Sequence, residues 1–111
     1  MVINKLNRQQ EAALNSFESS FSIMHALANK NRQKIIVLLA KHLEDGLTVT
    51  EITENMAITQ PAVSHHLKIL RDAGIVAFRK KGLQSMYYLT LKDPLKELEK
   101  SLKDLRTKFE R

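Results

Sequence analysis

The sequence predicts one domain of the α+β class, mainly α-helical with a small β-hairpin. Its 111 residues, 43% hydrophobic and 27% charged, suffice for a single hydrophobic core over residues 1–111. Apolar residues recur at three- and four-residue steps over most of the chain, which is typical of amphipathic helices. Residues 75–90 differ, because two short runs rich in β-branched and aromatic residues flank a polar loop at residues 80–85.

The first half of the chain predicts three helices. Between residues 8 and 29 the apolar positions have helical spacing and are interrupted by a pair of serines, which indicates two short helices. Asn29 or Asn31 can cap a third helix that is apolar around more than half of its circumference and extends to Leu43, with Gly46 as its stop signal. We expect this third helix to be buried at the centre of the core.

Two short helices with recognisable start signals follow. Thr48 and Glu51 have the spacing of a capping box, in which each side chain bonds the other residue's backbone N–H. Thr59 can cap the next helix, and Pro61 lies in its first turn, where the missing N–H costs nothing. The second helix is predicted over about residues 60–73.

The last segment predicts a helix with a narrow apolar seam. Asp93-Pro94 can open it, and its apolar residues then recur with steps of 4, 3, 4, 3 and 4: Leu91, Leu95, Leu98, Leu102, Leu105 and Phe109. Such a seam predicts packing against a partner helix.

The order of helix, turn, helix and hairpin is that of a winged helix-turn-helix, with residues 48–73 as the helix-turn-helix and residues 75–90 as the wing. At 100° per residue, Val63, Leu67 and Leu70 fall on one side of the second helix, and polar residues fall on the other. We therefore expect that helix to pack by its apolar face and to leave its polar face free.

The polar face carries groups that can bind DNA. Gln60, Ser64 and His65 lie near the amino end of the helix and can hydrogen-bond to base edges in a major groove. Contacts to the DNA backbone are expected from Thr59, Lys68, Arg71, Arg79, Lys80 and Lys81. The net charge of +6 also favours a polyanionic partner, here double-stranded DNA.

Residues 59–76, TQPAVSHHLKILRDAGIV, followed by Arg79, Gly82, Tyr88 and Leu89, resemble the signature of the ArsR-type winged-helix repressors. The likeness extends from about His25 to Leu91, and the flanking helices match only in position and length. It implies a homodimeric bacterial repressor that binds an operator with two-fold symmetry through an imperfect inverted repeat. It also implies that segments 1–24 and 93–111 form the dimer interface, where the expected residues are Leu14, Phe17, Leu95, Leu98, Leu102, Leu105 and Phe109.

Several residues depart from that family's pattern. Metal-sensing relatives carry two cysteines where residues 48–52 read TVTEI, and others use histidines on the last helix, which has none here. Hydroxyl groups do not replace thiolates as ligands of soft metals, so we expect neither a metal site nor a cofactor. His66 is expected to be a packed, hydrogen-bonded histidine. Ala57 stands where the family commonly has glycine, which predicts a different backbone conformation in the turn.

Composition and motifs exclude other classes. The absence of cysteine rules out disulfides and thiolate chemistry, and the longest apolar run, residues 35–40, is too short to span a bilayer. No secretion signal is recognisable, so a cytoplasmic protein is expected. No phosphate-binding loop or nucleophile motif indicates an enzyme. A winged-helix protein-interaction module without specific DNA binding remains the alternative, and any effector ligand stays unknown.

Overall fold

A computed structural model describes residues 5–111, which form six helices and one two-stranded hairpin. The helices are α1 (Arg8–Ser19), α2 (Phe21–Leu27), α3 (Lys30–Ala40), α4 (Val49–Glu54), α5 (Gln60–Asp72) and α6 (Lys92–Lys108). The strands β1 (Val76–Lys81) and β2 (Gln84–Leu89) lie between α5 and α6. The predicted mainly α-helical class with a small hairpin is confirmed. The first four residues of the predicted dimerisation segment 1–24 lie outside the described residues.

Side-chain caps begin the central helices where the sequence predicts. Asn29 accepts hydrogen bonds from two first-turn N–H groups of α3. Thr48 and Glu51 form the predicted capping box of α4, with N–O distances of 2.9 and 3.1 Å. The Thr59 hydroxyl accepts the first bond of α5 from the Ala62 N–H, at 3.3 Å. These caps satisfy N–H groups that would otherwise lack a partner.

The end of α3 differs from the prediction. The helix ends at Ala40, so Leu43 lies outside it and is 65% exposed. The chain must turn here to reach β2, since Leu47 and Tyr87 exchange backbone hydrogen bonds of 2.8 and 2.9 Å. Gly46 makes this possible with a φ of 71°, and a Cβ at this position would collide with the Tyr87 carbonyl. Pairing with β2 therefore ends the helix earlier than the apolar pattern indicated.

The hairpin is tighter than predicted. We expected a loop over residues 80–85, but the strands pair as far as Lys81 and Gln84 and leave a turn of two residues. Gly82 has a φ of 65°, which allows the two-residue hairpin turn in which glycine occupies the first position. Both strands therefore extend to the tip of the wing.

Ala57 sits in the turn between α4 and α5. In residues 5–111 no residue other than glycine has a positive φ. The turn is therefore made without the left-handed conformation that a glycine would favour, as the sequence predicted for this position.

The core lies between α3, α4, α5 and the hairpin. Its most deeply buried side chains are Ile35, Leu39, Ile52, Val63, Leu67, Leu70, Ile75 and Val76. The predicted apolar face of α5 supplies three of them, Val63, Leu67 and Leu70, each at most 1% exposed. Burial of that face directs the polar face of α5 to the surface.

The terminal helices form an arm beside this core. Helix α6 packs along α1 of the same chain, which provides the partner helix that the apolar seam predicted. The molecule measures 55 × 27 × 23 Å, with a radius of gyration of 17.5 Å. A compact chain of this length would have a radius of about 13 Å. The arm therefore projects from the core and leaves Leu102 and Phe109, 45% and 37% exposed, uncovered.

Candidate nucleic-acid interface

The polar face of α5 presents three unbonded side chains. Gln60, Ser64 and His65 are all exposed, within the first six residues of the helix. None of the three side chains forms a hydrogen bond with another residue of the described chain, 5–111. Their amide, hydroxyl and imidazole groups are therefore free to bond to another molecule, and these are groups that recognise base edges.

A buried arginine fixes the orientation of α5. Arg32 is 5% exposed and donates to the carbonyl oxygens of His25 and Ala26, both at 2.9 Å, at the end of α2. Its third contact, 3.2 Å from Nη1, is Nδ1 of His66 on α5. A guanidinium only donates hydrogen bonds, so the His66 nitrogen accepts, and the ring is neutral with its proton on Nε2. Arg32 thus joins α2 and α3 to α5.

The environment of His66 keeps its imidazole neutral. Burial lowers its pKa most, and electrostatic interactions with Arg32 and His65 lower the pKa further. The expectation that His66 is packed and hydrogen-bonded is confirmed. The role of Arg32 was missed, because two of its three partners are backbone carbonyl oxygens, which leave no signal in the sequence.

Two cations at the far end of α5 already have partners within the chain. Lys68 Nζ lies 2.8 Å from Asp72 Oδ2, and this hydrogen bond lowers the pKa of the Asp72 carboxyl group. The Arg71 guanidinium lies 5.3 Å from the centre of the Phe78 ring on β1. Both side chains of the ion pair are more than 60% exposed, so Lys68 can exchange Asp72 for a phosphate at little cost.

The three cations of the wing divide into one bound and two free. Arg79 Nη2 donates to the carbonyl oxygens of Glu44 and Asp45, at 2.8 and 3.3 Å, and the guanidinium lies 5.1 Å from the Tyr88 ring centre. Lys80 and Lys81 are exposed beside the tip and form no ion pair with residues 5–111. Arg79 therefore fastens the wing to the loop after α3, whereas the two lysines are available to a polyanion.

The segment in which metal-sensing relatives carry cysteines has a different structural role in this chain. The segment 48–52 begins α4, where the Glu51 carboxylate accepts the Thr48 N–H, a bond that lowers the pKa of Glu51. Between residues 5 and 111, no group of three or more histidine and acidic side chains is placed to hold a metal ion. No helix in this part of the chain is long and apolar enough to cross a membrane.

A helix-turn-helix with a free polar face on its second helix, followed by a hairpin with free lysines at its tip, defines a winged-helix protein of the DNA-binding class. The model of the family described as "Bacterial regulatory protein, arsR family" matches residues 23–77. The HTH-type transcriptional regulator MJ1325 of Methanocaldococcus jannaschii is 35% identical over 92 residues, which are 83% of this chain and the whole of that relative. The chain belongs to the ArsR family and is a DNA-binding transcriptional regulator.

Further similarities agree with this assignment. The transcriptional repressor SdpR of Bacillus subtilis is 34% identical over 67 residues, covering 60% of this chain and 70% of SdpR. The solved structure of reduced HlyU from Vibrio cholerae matches with a TM-score of 0.63 and 28% identity, over 92% of this chain and 99% of HlyU. The resemblance inferred from residues 59–76 is thereby confirmed. The family is one of transcriptional regulators, not of enzymes.

Proposed function

We propose that this regulator is a homodimeric cytoplasmic repressor that binds an inverted-repeat operator and thereby blocks transcription. It catalyses no reaction. Gln60, Ser64 and His65 read base edges in the major groove. Thr59, Lys68, Arg71, Arg79, Lys80 and Lys81 contact the sugar-phosphate backbone. The observation that carries this proposal is the first part of the polar face of α5, where Gln60, Ser64 and His65 are exposed and unbonded while the opposite face of the helix is anchored in the core.

Backbone contacts differ in how directly they are available. Lys80 and Lys81 can bind phosphate without breaking an internal contact, whereas Lys68 must first release Asp72. Arg79 would bind only with the N–H groups that its two carbonyl partners leave unused. The Thr59 hydroxyl accepts a backbone N–H, and its own proton stays available for a phosphate oxygen.

The arm of α1 and α6 supports the dimer. Leu102 on α6 and Phe109, the residue after its end, are partly exposed, and Leu14, Phe17, Leu95 and Leu105 are only half-buried. Leu98 instead packs against the chain's own core. A second copy would cover the exposed and half-buried side chains of the arm and give four packed helices, an arrangement that two-fold symmetry favours. The two α5 helices would then read half-sites about 34 Å apart.

Selection from a pool of random duplexes tests this proposal against the alternative of a protein-interaction module. The expected product is an inverted repeat whose half-sites are centred about one helical turn apart, bound with an affinity that falls steeply with salt. The Lys80→Ala variant serves as a control, since it should select the same sequence with weaker binding. Recovery of no common sequence would favour the alternative.

A further inference from the structure

A basic groove with an apolar floor lies on the outer side of α3, away from its buried face. Its volume is about 570 Å³, and the turn between α4 and α5 closes one side. The residues that define this α3 groove are Lys30, Lys34, Lys41, Val37, Leu38 and Met56. Val37 is 55% exposed at its centre. An exposed apolar floor with a charged rim marks a surface that favours a partner.

The three lysines of the α3 groove form one row. At 100° per residue they point within about 40° of one another, and at 1.5 Å per residue the row is about 16 Å long. None of them forms an ion pair with a residue between 5 and 111. No acidic residue lines the groove. The row therefore presents three unneutralised positive charges in a fixed spacing.

The two amide side chains of the α3 groove already have bonds. Gln33 donates to the Leu27 carbonyl at 2.8 Å, and Asn55 donates to the Glu51 carbonyl at 2.9 Å. Each of these bonds uses one amide N–H and holds its side chain against the backbone. The charged groups of the groove that can recognise a partner are the lysine ammonium groups, with the apolar side chains between them.

We infer that the α3 groove binds an acidic amphipathic helix of a partner protein. Lys30 and Lys34 are one helical turn apart, and Lys34 and Lys41 are two turns apart, so carboxylates with the same spacing on a second helix match them. The apolar side of that helix would cover Val37, Leu38 and Met56. A single small carboxylate would leave two lysines unpaired, and a phosphate backbone would leave the apolar floor exposed. This inference goes beyond DNA binding and uses none of the residues assigned to it.

The inference can be tested with the full chain and a labelled probe. The probe is a synthetic 16-residue helix with glutamates matching the lysine row and leucines on the adjoining stripe, and its control has the same composition in scrambled order. Fluorescence anisotropy should show binding at least about tenfold tighter for the probe than for the scrambled peptide. Chemical-shift changes should be concentrated in residues 30–41 and 55–56.

Matched variants distinguish binding in the α3 groove from attraction by net charge alone. Lys34→Glu with Lys41→Glu should weaken probe binding at least about tenfold, and Val37→Ser should also weaken it. Lys96→Glu with Lys103→Glu makes the same change in net charge on α6, among acidic neighbours, and should have much less effect. The half-exposed Val37 can be changed without opening the core, so its variant keeps the test valid if charge reversal disturbs folding.

Three results would overturn the inference. Equal binding of probe and scrambled peptide would show that no helix is recognised, and equal effects of the α3 and α6 variants would show attraction by net charge alone. Full displacement of the probe by decanoate at low concentration would indicate a site for a small anionic molecule. Operator binding is measured in a separate experiment. If the wild-type chain bound no operator, that result would count against the proposed function and not against the α3 groove.

Discussion

Nη1 of Arg32 lies 3.2 Å from Nδ1 of His66 and couples the start of α3 to the helix that carries the predicted base-reading residues. Because the arginine also holds two carbonyl oxygens at the end of α2, its position is fixed from three sides. The imidazole can accept this hydrogen bond only while Nδ1 is unprotonated. Protonation of His66 would replace the bond with repulsion between two cations.

The first prediction is that acidification destabilises the fold through His66. Its pKa is lowered in the folded state, so below the usual value of about 6.5 the unfolded chain binds the proton more readily. The free energy of unfolding should therefore fall as the pH decreases from 7 to 5. Urea denaturation at several pH values measures this slope.

A matched pair of variants identifies the group responsible. His66→Gln should flatten the pH slope of the unfolding free energy, because glutamine does not titrate. His42→Gln, at an exposed position outside this contact, is the control for removing a histidine that does not bond Arg32. Equal slopes in wild type and His66→Gln would assign the pH dependence to other groups.

The second prediction concerns a buried serine of α6. Ser101 is 0% exposed, and its hydroxyl makes no hydrogen bond within residues 5–111. Since a buried unpaired hydroxyl costs free energy, Ser101→Ala should raise the unfolding free energy by about 1 kcal/mol. Ser20→Ala is the control, because that hydroxyl donates to the Ser16 carbonyl at 3.2 Å and its removal should not stabilise. A destabilised Ser101→Ala protein would mean that the hydroxyl has a partner.

The third prediction separates base reading from backbone binding. Gln60→Ala and His65→Ala should each relax the preference at one operator position, by about 1 to 3 kcal/mol. Lys80→Ala should weaken binding to all duplexes alike and should reduce the slope of log affinity against log salt concentration by about 1. Competition binding with singly substituted operators measures both effects, with Lys96→Ala on α6 as the control. An unchanged preference in His65→Ala would remove His65 from the reading face.

The fourth prediction concerns the dimer. Leu102→Asp should put a charge in the interface of the arms, yield monomers and lower operator affinity at least about a hundredfold. Leu102 is a better test than Leu98, because Leu98 also packs on the core and its loss would disturb folding. Leu43→Asp makes the same substitution at a leucine that is 65% exposed and lies outside the arms, and it is the control in sedimentation. A wild-type chain that sediments as a monomer would contradict the proposed interface.

Features that depend on neighbouring residues along the chain were predictable. Thr48 with Glu51 and Thr59 with Pro61 mark helix starts by local chemistry, and the spacing of Val63, Leu67 and Leu70 identifies the buried side of α5. Features that depend on distant pairing were not. The end of α3 follows from the bridge between Leu47 and Tyr87, and the partners of Arg79 are carbonyl oxygens 34 and 35 residues away in sequence.

The packing of the arm also depends on residues that are distant in sequence. The seam from Leu91 to Phe109 predicted a partner helix correctly, but its spacing could not say which helix. In the fold α1 of the same chain occupies one side of α6, and Gln10 on α1 bonds the Lys108 carbonyl at 3.1 Å. Only the side chains that α1 leaves exposed or half-buried, such as Leu102, are available to the proposed second copy.

The most direct measurement compares the affinity of the wild-type chain for its selected duplex with that for a scrambled duplex of equal length, at one salt concentration. If the free face of α5 reads bases, the selected duplex should bind at least about a thousandfold more tightly. Gln60→Ala with His65→Ala should remove most of this difference while leaving binding to the scrambled duplex unchanged. Equal affinities of the wild-type chain for both duplexes would contradict the account.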